Sequence, residues 1–79
     1  MNIKETVLSV FENENKEKGL SEVVSLETDI VIGHIYDSFE IVTIMAKLEE
    51  SLSITLADNI SGFLTATTIQ ELITFLESL

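Results

Sequence analysis

Apolar positions in this chain fall into three stretches of helical period, separated by one long stretch that has none. Ile3, Val7, Val10 and Phe11 recur at i, i+4, i+7 and i+8, so residues 2 to about 17 read as a helix with one apolar stripe. Asn13 and Asn15 weaken its end, and Gly19 suits the left-handed residue that closes a helix. Residues 38 to about 52 carry the strongest pattern. Ile41, Met45, Leu48 and Leu52 line one face, and Val42 and Ile44 widen it. Asp37 or Ser38 serves as N-cap, and Glu40 in the first turn complements the helix dipole. Residues 53 to 57 form a short connection with Ile54 and Leu56 buried, after which Asp58 caps a weak helix through Leu64, loosened by Gly62. The last helix starts at Thr67 or Thr68. Thr67 with Gln70, and Thr68 with Glu71, both have capping-box spacing, and Ile69, Leu72, Ile73 and Leu76 form its apolar face.

Residues 19 to 37 hold no clear period. Val23, Val24, Leu26, Ile30, Val31, Ile32 and Ile35 are too apolar for a solvated linker, so this long connection must lie on the core. A hairpin over Val23 to Tyr36 is the alternative; β-branched residues are dense there, but no turn dipeptide joins two alternating runs. The expected fold is therefore all-α. It is a four-helix bundle of three longer helices and one short third helix, in a single domain over residues 1–79, with a long loop between the first two helices.

Composition narrows the functions. A chain of 79 residues sits near the lower limit for folding alone. It has no cysteine, so disulfides and thiolate zinc sites are excluded. No apolar run is long enough for a membrane span, and the first eleven residues lack the apolar core of a signal peptide, which points to the cytoplasm. Fourteen acids face four lysines and no arginine, for a net charge of −10. From residue 19 onward ten acids stand against Lys47 alone. Such a surface repels nucleic acid and anionic lipid and attracts basic protein patches at long range.

The candidate chemistry is sparse. Ser38, His34 and Asp37 are the residue types of a nucleophilic triad, but they lie within five residues on a loop running into a helix. That spacing does not wedge a base between nucleophile and acid, and the strand-turn-helix of a nucleophile elbow is missing. Glu49 and Glu50 are adjacent on a helix and diverge by about 100°, as solvated residues do. No metal constellation has convincing spacing. Lys47 lies mid-helix, unlike the hairpin-tip lysines that carry lipoyl or biotinyl groups. What stands out is a serine hydroxyl opening a helix, with carboxylates around it and no base beside it. It has the look of an attachment point.

Asp37-Ser38-Phe39, with Ile41-Val42 and Leu48-Glu49-Glu50-Ser51-Leu52 after it, resembles the Asp-Ser-Leu motif and recognition helix of acyl carrier proteins. Ile54, Asp58 and Thr67-Thr68-Ile69 fall where that family has its short third helix and the start of its fourth, and Ile30 stands where it often has a buried phenylalanine. The resemblance covers essentially the whole chain. It implies a protein that is not an enzyme. A phosphopantetheinyl transferase would place 4'-phosphopantetheine from coenzyme A on Ser38, and the arm's thiol would carry acyl or aminoacyl thioesters. The chain's lack of cysteine fits, since the thiol must be imported.

By position, the resemblance maps partner-docking acids to Asp37, Glu40, Glu49, Glu50 and Asp58. Phe39 matches the apolar residue that meets partner enzymes in the family, and Val42 supports it, although both read equally well as core. A fatty-acid or polyketide pathway, a monomeric state, and loading or transferring enzymes with basic patches follow as expectations. If cargo folds back into the core, Val42, Ile54, Ile60, Phe63 and Ile69 are the lining candidates. Two departures matter. Ile35 stands where the family commonly has glycine, and Thr43 stands where fatty-acid carriers are commonly acidic. Ile35-Tyr36-Asp37-Ser38 is closer to D-alanyl carriers of cell-envelope modification and to stand-alone carriers. An acidic helical interaction module that is never modified is the alternative from another class.

Overall fold

The computed structural model describes residues 2–79 and contains four α-helices: α1 (Ile3–Lys18), α2 (Ser38–Leu52), α3 (Ile60–Thr65) and α4 (Ile69–Glu77). The architecture is all-α, as the periodicity predicts, and no strand forms among the described residues. The hairpin alternative is not realised. Only two isolated bridges occur in residues 19–37, Asp29 with Thr68 and Ile32 with Tyr36.

Each long helix is bounded by the chemistry its ends require. Asn2 caps α1, its side chain accepting from the Glu5 amide, and Gly19 closes it at φ 71 with its amide donating to Asn15 and Lys16 carbonyls. Thr68 caps α4, accepting from the Glu71 amide at 3.2 Å. Glu71 does not complete a box with Thr68. Its carboxylate reaches one residue further back and accepts from the amide and hydroxyl of Thr67, at 2.7 and 2.8 Å. The short helix departs from expectation. Asp58 lies inside a 3-10 turn (Ala57–Asn59) and caps nothing, and α3 starts at Ile60 without a side-chain cap.

One core holds the helices together. Val7, Phe11, Tyr36, Ile44, Leu48, Leu56, Ile69 and Leu72 are fully buried, with Ile30, Ile41, Phe63 and Leu76 close behind. Met45 and Leu52, expected on the buried face of α2, are half-buried, and Val42 is exposed. The inward stripe of α2 is therefore Ile41, Ile44 and Leu48, which is narrower than the hydrophobic pattern alone suggests. Helix α1 packs against both α2 and α4, whereas α3 rests on α4. Gly62 permits that rest, because a Cβ there would collide with the Phe75 ring.

Residues 19–37 pack on the core through Ile30 and Tyr36, with Leu20, Val24, Leu26 and Ile35 partly buried, whereas Val23 and Ile32, expected there too, are exposed; the segment also docks on α4. The carbonyls of Thr28 and Leu26 accept from the Ile69 and Gln70 amides at 3.2 and 2.9 Å, and the Ile30 amide donates to the Thr67 carbonyl at 3.0 Å. Two of the amides left unpaired at the start of α4 are thus satisfied by a segment forty residues upstream. Three polar residues also lie inside: Thr28, whose hydroxyl accepts from the Ser25 amide at 2.8 Å, Asn15 and Glu14. Asn15 is buried and accepts from the Tyr36 hydroxyl at 2.8 Å. Glu14 is buried, its carboxylate accepting from the Lys47 ammonium at 3.0 Å, and the same ammonium donates to Glu17 at 2.9 Å. Glu17 and Glu14 together raise the Lys47 pKa.

Candidate functional site

The run into Ser38 is held from both sides. Behind it, Tyr36 is fully buried, its ring edge-on to Phe11 at a centroid distance of 5.5 Å, with its hydroxyl tied to Asn15 on α1. Burial raises the Tyr36 pKa. Ahead of it, Asp37 is the N-cap. Its carboxylate accepts from the Glu40 amide at 2.7 Å, and the Glu40 carboxylate accepts from the Asp37 amide at 3.0 Å, closing a capping box. Ser38 lies between these anchors as the first residue of α2, and it is exposed.

The structure does not assemble the triad residue types. Asp37 is committed to its cap, and the His34 Nδ1 lies 2.7 Å from Asp29 Oδ2. Asp29 also accepts from the Val31 amide at 2.9 Å; that bond first, and His34 second, lower its pKa. No sequence pattern marks Asp29, because the pairing depends on a loop conformation without period. Among the described residues no group of three or more histidines, cysteines or acids is placed to hold a metal ion.

The residues mapped as docking positions separate into two kinds. Phe39 and Val42 are exposed, at 72% and 54%, so neither is core. Three positions apart on α2, they share a face. Asp37, Glu50 and Asp58 are exposed, and Glu40 is half-buried. Glu49 does not simply point into solvent. It is half-buried, and its carboxylate accepts from the Leu56 amide at 2.7 Å, fixing the turn after α2. One cation also joins the surface: the Lys18 ammonium, from the end of α1, lies 5.9 Å from the centroid of the Phe39 ring. Its place in a cluster of basic residues before Gly19 was the available signal. Of the candidate cargo-lining residues, Phe63 and Ile69 are buried, Ile54 is half-buried, and Ile60 and Val42 are open to solvent.

The bonds from Thr67 hold the Glu71 pKa below its usual 4.5. A carboxylate lowered on folding contributes stability above its unfolded pKa and loses it as pH falls through the folded one. Glu71→Gln should therefore lower the urea midpoint most at neutral pH, and the gap to wild type should close below about pH 4. A gap that widens on acidification would contradict this bonding. Comparison of the chain with protein-family models, curated proteins and solved structures finds no match.

Proposed function

We propose that the chain is a carrier protein, modified on Ser38 with 4'-phosphopantetheine and presenting thioester cargo to partner enzymes. The observation that carries this reading is Ser38 itself. Its hydroxyl-bearing residue is exposed at the first position of α2, fixed by the Asp37–Glu40 box on one side and buried Tyr36 on the other. Rigid flanks and an open hydroxyl suit a residue that another enzyme must reach.

The surroundings fit the group in its chemistry. The box uses the Asp37 and Glu40 amides, so the Ser38 and Phe39 amides at the start of α2 are left to face an incoming phosphodiester, at the positive end of the helix dipole. In loading, the Ser38 oxygen would form a bond to the pantetheine-bearing phosphorus of coenzyme A. The pyrophosphate P–O bond breaks, adenosine 3',5'-bisphosphate leaves, and the hydroxyl proton passes to a base of the transferase. The arm supplies a thiol, which the chain lacks. The chain's own contribution is to hold Ser38 outward and to offer an acidic surface for weak, salt-sensitive docking. In a four-helix fold, no helix among the described residues is long and apolar enough to cross a membrane. Which cargo the arm carries is a matter of its loading enzyme.

The test is intact mass after incubation with coenzyme A, Mg²⁺ and a broad-specificity transferase. Wild type is expected to gain one phosphopantetheine and Ser38→Ala none. An unchanged mass for folded wild type would falsify the carrier reading and leave the unmodified interaction module.

A further inference from the structure

The contact between Lys18 and Phe39 has no part in the core. Phe39 is 72% exposed, and an aromatic ring in water gains little from packing. Its occupant is informative. On a chain of net charge −10, the ring has the ammonium of Lys18 5.9 Å from its centroid, near the outer limit of cation–π attraction. The negative face of the ring's quadrupole, on a strongly acidic chain, makes this a seat for a cation. A lysine held at that distance, on an exposed side chain, is held weakly. A guanidinium is planar, less strongly hydrated and stacks on rings, so it competes well against an ammonium for such a place.

We propose that Phe39 receives an arginine side chain of a partner enzyme, and that Lys18 occupies the ring in the free protein and must leave it. This rests on the carrier reading, because an enzyme acting at Ser38 has to approach its neighbour Phe39. Val42, on the same face, supplies the apolar rim for the stem of that arginine. Lys18 then acts as an intramolecular competitor. It weakens docking without touching the reacting oxygen, which suits a protein that must be released after each visit.

The experiment measures kcat and KM for loading by the transferase with Lys18→Gln, Phe39→Leu, the double variant and Lys16→Gln. Lys16 lies on the same end of α1 and lacks the ring contact, so its variant reports the general effect of losing one positive charge. Beyond that effect, Lys18→Gln is expected to lower KM about two- to fivefold with kcat unchanged. Phe39→Leu should raise KM, and in its background Lys18→Gln should do no more than Lys16→Gln. The gain should shrink as salt rises. Wild type that is loaded, with Lys18→Gln no tighter than Lys16→Gln or equally effective without the ring, overturns the arginine seat alone. Wild type that is never loaded overturns the carrier reading.

Discussion

Tyr36→Ala is expected to leave much of the protein unfolded at 25 °C. Tyr36 is fully buried against Phe11, and truncating a buried aromatic side chain costs about 3–5 kcal/mol. The same change strips the buried Asn15 oxygen of its hydroxyl donor, for about 1–3 kcal/mol more. A domain of this length has about 4–12 kcal/mol in total, so the sum consumes most of it at the lower end. Tyr36→Phe separates the two effects. It keeps the ring and orphans Asn15, and should cost about 1–3 kcal/mol in urea unfolding followed by far-UV circular dichroism. A Tyr36→Phe protein as stable as wild type would mean that Asn15 finds another partner on relaxation. The location adds interest, since Tyr36 stands two residues before Ser38 and anchors that run to α1.

A second large effect is expected at Gly62. A methyl group there would collide with the Phe75 ring, nearest to Cε1 and 2.8 and 2.9 Å from Cδ1 and Cζ. Overpacking of this kind costs about 1–3 kcal/mol, while alanine in place of helical glycine returns about 0.5–1 kcal/mol. Gly62→Ala should therefore be destabilising in net, by up to about 2.5 kcal/mol. In a Phe75→Leu background, where the ring is gone, the same substitution should become neutral or stabilising. That reversal in a double-mutant cycle distinguishes a collision from a general intolerance of α3 to change. If Gly62→Ala is harmless with Phe75 intact, the ring must swing away freely.

These two sites show how far residue patterns reach. The helices were legible because apolar residues recur at the helical period and because Gly19, Asp37 and Thr68 are the residue types helix ends demand. The start of α2, and with it the exposure of Ser38, follows from the same local rules. What local rules do not contain is the partner across the fold. Gly62 reads as a helix weakener, and only the Phe75 ring explains it. Glu49 reads as a surface acid until the turn to Leu56 folds back on it. The docking of residues 26–30 on α4 joins two segments with no periodic relation. Glu14 is different, for its position in the pattern does mark it. It falls seven residues after Val7 and four after Val10, on the buried stripe itself, where a carboxylate requires a partner.

The docking of the loop on α4 has a consequence for how the chain first acquires its shape. During synthesis, at about 5–20 residues per second, Leu26 and Thr28 are added to the chain well before residues 67–70 exist to receive them. The apolar wall supplied by Ile69, Leu72, Ile73 and Leu76 arrives later still. A nascent chain ending before Thr67 therefore holds an open core and an unmoored loop, whatever its first two helices do. Presentation of Ser38 in its final setting must await translation of α4.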